Sequence, residues 1–194
     1  MITDKLIYSS LIRGDSNTSL DLLRKTPFPS RKDEQWKYSP LKKLKKLPFI
    51  NNSGFSVKSI STLNLPPMNG LILVLENGRV NANLSEFHKI RGIKLSFLSS
   101  SKENDNPIIN SKKENYFSLL NSSYLSEGIT IEVGSGFRVQ ENINIINIVS
   151  SNDSLVNTKL DLILSENSSI HIRQYFLAFG KTTNGFINHN NNFI

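Results

Sequence analysis

The chain has 194 residues, 38% of them hydrophobic, with a formal net charge of +7 and no cysteine. That length can bury a sizeable core, and the missing cysteines exclude disulfides and thiolate-held zinc or iron–sulfur clusters. No run approaches the ~20 apolar residues of a membrane span and the first fifteen residues carry no signal-peptide core, so the expected setting is soluble and intracellular, in a cytoplasm or a plastid-type organelle.

In chain order, residues 4–13 read as a short helix stopped at Gly14, and residues 18–25 as a second one with Leu20, Leu22 and Leu23 inside. Pro27 and Pro29 break the pattern. Ser30 and Asp33 then form an S-x-x-D cap, in which hydroxyl and carboxylate satisfy amides left free at a helix start. Residues 31–46 follow, RKDEQWKYSPLKKLKK. They hold six lysines, one arginine and the only tryptophan. Pro40 limits the capped turn. Leu41, Leu44 and Leu47 recur every third residue, so the lysines between them read as the solvated face of an amphipathic turn, with Trp36 turned to the core.

Residues 51–69 read as loop. GLILVLENGRVNANLS, from Gly70, predicts a strand over 71–75, a turn at Asn77-Gly78 and a short strand over 79–83. Another strand is expected at 92–98, a polar loop at 101–113 and a short helix at 114–122. Strands follow in ITIEV, INIINIV, KLDLILS, SSIHIRQYF and GFINHNNNFI. Leu160, Leu162 and Leu164 alternate with polar residues, as do Ile170 and Ile172, which predicts one buried face per strand. Periodicity leaves meander, sandwich and β-helix open.

Catalytic constellations are scarce. His88, His171 and His189 do not share a metal spacing. Gly134-Ser-Gly136 is a lone G-x-G without a third glycine. Asp161 and Glu166 could form a carboxylate pair of the kind sugar-cleaving enzymes use, although a strand-surface Asp and a turn Glu is the plainer reading.

The string FPSRKDEQWKYSPL, residues 28–41, resembles the N-terminal signature of SufD proteins of the SufBD family, scaffold components of the SUF iron–sulfur cluster assembly system. Arg31, Lys32, Glu34, Trp36, Lys37, Tyr38 and Pro40 carry the likeness, as structural signature residues. LILVLENGRVNANLSE, NYFSLLNSSYLSEGITIEV and KLDLILSENSSIHIRQYF resemble later parts of that family more loosely. The resemblance implies a mainly β fold: a small helical, mixed α+β region over 1–125, then the first coils of a right-handed parallel β-helix over 126–194, truncated at Ile194. It implies a non-enzymatic scaffold with SufB-like and SufC-like partners. No catalytic, cofactor or metal residue is carried over, because the family's cluster-associated Cys and His positions lie beyond this chain, and the cluster belongs to the wider complex. Neither nucleic acid nor membrane is expected as a partner, and self-association through the exposed β-helix end is. Two alternatives remain, a basic nucleic-acid-binding module built on Lys42, Lys43, Lys45 and Lys46, and a carbohydrate-active β-helix enzyme.

Overall fold

The computed structural model describes residues 16–39, 41–46, 54–100, 115–181 and 184–194. The expected helix at 4–13, the loop at 101–113, Pro40 and Leu47 lie outside them.

Helix α1 covers Ser16–Lys25. A 3₁₀ turn at Glu34–Trp36 and helix α2, Leu41–Lys46, follow. Helix α3 is Tyr116–Ser123, started by the Asn115 side chain accepting from Ser118 N at 2.9 Å. The strands are β1 (Leu71–Glu76), β2 (Arg79–Val80), β3 (Ile93–Phe97), β4 (Glu127–Val133), β5 (Arg138–Val149), β6 (Leu155–Leu164), β7 (Ser169–Ala178) and β8 (Phe186–Phe193).

These strands form two four-stranded sheets, ordered β2-β1-β5-β7 and β3-β4-β6-β8. Both are mixed. β1, β5 and β7 run parallel, with β2 antiparallel at the edge. β4, β6 and β8 run parallel, with β3 antiparallel at the edge. The parallel β-helix implied by the resemblance is therefore corrected: the described strands build two open, mixed sheets. The physical reason lies at the β2 and β3 edges. The Asn77-Gly78 turn folds β2 back on β1, with Asn77 at φ 49° and Gly78 at φ 76°, and β3 enters against β4 in the opposite direction. Strands from before residue 125 thus share both sheets with strands after it.

From β4 onward the chain alternates between the sheets. Each return adds a parallel strand in register, so that Glu127 aligns with Thr158 and Thr158 with His189. The sheets close over one apolar core, which includes Leu73, Ile131, Ile143, Ile145 and Leu160, all at most 2% exposed. At roughly 25 cal/mol per Å² of buried apolar surface, this layer is the main source of stability.

The expectation of one buried face per strand fails for β6, which is buried on both faces from Leu155 to Asp161. Its even residues face the core between the sheets. On the other face, Leu155 packs with Leu119 and Leu120 of α3 and with Leu20 and Leu23 of α1. Lys159 and Asp161 share that outer face, 7% and 3% exposed, with Nζ 2.8 Å from Oδ2. The approach is poorly aligned for a hydrogen bond, so charge attraction holds the contact. Asp161 Oδ1 accepts from Asn192 Nδ2 at 2.7 Å.

A second buried polar centre ties the 54–57 segment to the sheet. Glu76, fully buried at the end of β1, accepts from Ser56 N at 2.5 Å, Val57 N at 3.1 Å, Ser150 Oγ at 2.6 Å and Asn81 Nδ2 at 3.0 Å. Beside it, Asn77 accepts from Ser150 N at 2.9 Å and donates to the Gly54 carbonyl at 2.7 Å.

Candidate partner interface

Two surfaces stand out, the basic signature segment and the open edge formed by β7 and β8.

In the signature segment, Asp33 Oδ2 accepts from Ser30 N at 2.7 Å and Ser30 Oγ accepts from Lys32 N at 3.2 Å. These bonds close the Ser30–Asp33 turn; the 3₁₀ turn that follows is capped by Asp33 without a side-chain cap bond, so the expected S-x-x-D helix cap does not form. That turn points Trp36 inward. Its ring lies 4.9 Å from Phe117, and Phe28 meets Tyr116 edge-on at 5.0 Å. Leu41 and Leu44 of α2 pack on the same cluster. Arg31, Lys32, Glu34 and Lys37 project to solvent. Tyr38 is 90% exposed, with the Lys37 ammonium 5.6 Å from its ring centre. Among the described residues, no ion pair involves Lys42, Lys43, Lys45 or Lys46. The signature thus divides into an inward anchor, Trp36, and an outward basic rim. Replacing Trp36 with alanine is expected to cost about 2 kcal/mol, roughly half the loss of a fully buried tryptophan, read as a lower midpoint in urea unfolding. Lys37→Ala, on the rim, is expected to leave the midpoint within about 0.5 kcal/mol.

β7 and β8 stand last in the order of the two sheets, with no described strand on their outer sides, and Phe186 at the start of β8 packs on the same aromatic cluster as Trp36. Between these strands sits a polar network. His189 Nδ1 is 2.8 Å from Thr158 Oγ1, and its Nε2 is 2.9 Å from Gln174 Nε2 and 3.0 Å from Asn191 Oδ1. Gln174 Nε2 also donates to Asn191 Oδ1 at 3.1 Å. These contacts admit either neutral tautomer: a proton on Nδ1 donates to Thr158 while Nε2 accepts from Gln174, and a proton on Nε2 donates to Asn191 Oδ1 while Nδ1 accepts from Thr158. Burial pushes the His189 pKa below its ordinary 6.5, and the Asn191 hydrogen bond acts in the opposite direction. The only charged group in its column of the sheet is Glu127, on β4 beyond Thr158.

A histidine depressed in the fold charges first in the unfolded chain. Its contribution is whole above pH 6.5, declines as pH falls below that value, and is fully lost below the folded pKa. Urea unfolding at pH 7.5 and 5.5 is expected to show lower stability at the acidic value, with a smaller difference in His189→Gln.

Around this network apolar side chains are bare. Phe176 is 47% exposed, Phe193 73% and Ile194 52%. The signal for this surface was present in the sequence as alternating apolar residues in the last two strands.

No family model matches the sequence, and no curated protein matches it.

The remaining candidates are not brought together. Asp161 is buried beside Lys159 and Asn192, which corrects its reading as a strand-surface residue. Glu166 is an exposed turn residue. His88 pairs with Glu141 at 2.6 Å on the surface, and His171 is exposed on β7. Gly136 belongs to the turn from β4 to β5, with φ 74°. Among the described residues, no three His, Cys, Asp or Glu side chains are grouped to hold a metal ion, and no helix is long and apolar enough to cross a membrane.

Proposed function

We propose that the chain is a non-enzymatic scaffold subunit of iron–sulfur cluster assembly, of the SufD kind, working with SufB-like and SufC-like proteins in a cytoplasm or plastid-type organelle. The observation that carries this reading is the fourteen-residue string from Phe28 to Leu41. Its division of labour in the structure supports it. Trp36 secures the segment to α3, while Arg31, Lys32, Lys37 and Tyr38 face outward where another chain can reach them. With no cysteine, this chain supplies no thiolate, and a cluster would be held by its partners.

Co-expression of the tagged chain with SufB-like and SufC-like proteins tests the reading. Retention of either partner through purification is expected. Loss of both in low-salt buffer would contradict it.

One observation favours a second reading. An almost fully exposed tyrosine near lysines that form no ion pair among the described residues is the combination that stacks bases and holds phosphates. Binding of a single-stranded oligonucleotide that weakens steeply with salt would support a nucleic-acid role. No binding at low salt would remove it.

A further inference from the structure

Three Asn-Gly pairs occur in the chain, Asn69-Gly70, Asn77-Gly78 and Asn184-Gly185. Such a pair has a reactivity of its own. With no Cβ on the second residue, the glycine nitrogen can reach the side-chain carbonyl carbon of the asparagine and close a five-membered ring. The fold treats the three pairs very differently.

Asn77 is 2% exposed. Its Nδ2 donates to the Gly54 carbonyl at 2.7 Å, to Ser150 Oγ at 2.8 Å and to Ser151 Oγ at 3.1 Å, and its Oδ1 accepts from Ser150 N at 2.9 Å. The nitrogen that would have to leave is held on three sides, away from water. Asn184 is half-buried, and its Nδ2 donates to Asp153 Oδ1 at 3.0 Å. Asn69 is exposed, two residues before β1. Its Oδ1 accepts from Asn142 Nδ2 at 2.6 Å, and among the described residues its Nδ2 has no acceptor. The nitrogen is free to leave into water, while the Asn142 amide points at the oxygen on which negative charge builds as the ring closes. The reactive pair is also built into this entry to β1. Gly70 has φ 88°, and a Cβ there would lie 2.1 Å from the Asn142 main-chain oxygen, so only glycine fits after Asn69.

We propose that Asn69 is a spontaneous modification site of the folded chain, converted to aspartate and isoaspartate through a succinimide. The Gly70 nitrogen gives up its proton and bonds to Asn69 Cγ. The Cγ–Nδ2 bond breaks, and Nδ2 takes that proton and leaves as ammonia. Water then opens the ring. Attack at Cγ gives aspartate, and attack at the main-chain carbonyl carbon gives isoaspartate. Both products place a new carboxylate at the start of β1. Isoaspartate also lengthens the main chain and displaces the Asn69 carbonyl, which accepts from Asn144 Nδ2 at 2.8 Å. Asn144 is fully buried in β5, so water cannot replace that contact. Modification therefore loosens the β1–β5 pairing where it begins, at Leu71 and Ile143. This chemistry is independent of the cluster-assembly reading.

Peptide mapping by mass spectrometry reads the conversion, because each product exchanges an NH2 for an OH. The purified full chain is held in mildly alkaline buffer, once native and once in unfolding guanidinium chloride. Unfolded, the three pairs are expected to convert at similar rates, since the following glycine is common to all. In the native chain, Asn69 is expected to convert at least roughly tenfold faster than Asn77, which reacts only when the fold opens, with Asn184 between them. The aged native chain is expected to unfold at a lower urea midpoint, and Asn69→Gln, aged alike, to keep its own. Native Asn77 or Asn184 converting as fast as Asn69 would overturn the proposal. So would an Asn69 that stays unmodified in the native chain, or midpoints that fall equally in both chains.

Discussion

Replacing Glu76 with alanine is expected to remove roughly 3–5 kcal/mol of folding stability. Four donors converge on this one carboxylate: Ser56 N, Val57 N, Ser150 Oγ and Asn81 Nδ2. A carboxylate can accept all four. Alanine strands the buried Val57 N and Asn81 amide, each costing about 1–3 kcal/mol unmet, while the more exposed Ser56 and Ser150 can turn to solvent. The loss is a large share of the ~5–15 kcal/mol that folded domains possess. It would lower the melting temperature by roughly 10 °C, at the few degrees per kcal/mol typical of this size. Glu76→Gln keeps one acceptor oxygen and the side-chain volume, so about half of that loss is expected. Equal melting temperatures for Glu76→Ala and the parent chain would show that the 54–57 segment is not held through this residue.

The second large effect concerns the buried pair on the outer face of β6. Asp161→Asn keeps the shape and retains an oxygen for Asn192, but it leaves the Lys159 ammonium buried without a counter-charge. Breaking a buried pair in this way costs about 3–5 kcal/mol. The double variant Lys159→Met/Asp161→Asn removes both charges, and its stability is expected to return close to that of the parent chain. Urea unfolding of the two single variants and the double variant gives the coupling directly. Additive losses would mean that the 2.8 Å contact does not bind the two residues energetically.

Much of the local structure was legible in sequence. The Asn77-Gly78 turn fixed the β1–β2 hairpin, and the alternation of leucines and isoleucines marked the later strands. Trp36 was readable as a core residue because it sits one turn before a leucine stripe and its indole needs a large apolar partner, which Phe117 supplies. What local pattern could not convey was pairing. β1 joins β5 across helix α3 and three intervening strands, and the alternation between sheets rests on registers such as Asn157 beside Asn188, 31 residues apart. No single window of sequence contains both partners of such a contact. The second buried face of β6 was hidden for the same reason. Asn157, Lys159 and Asp161 look solvent-facing until α3 and β8 are laid beside them.

The polar centres were equally hard to read. Asn77 read as turn chemistry, which it is, yet most of its partners and those of Glu76 beside it come from residues 54–57 and 150–151, far away in the chain. The neutral His189 is depressed by a burial that exists only once β7, β6 and β8 have met. The candidate site was legible in part. The signature string announces a surface segment and its anchor. The edge where β7 and β8 end follows from sheet order alone.

Co-purification of a SufB-like or SufC-like protein with the tagged chain tests the proposed scaffold role most directly. Retention of either partner is expected, weakened in Lys37→Ala, whose exposed side chain can change without loss of the fold. Loss of both partners in low-salt buffer would contradict the proposal.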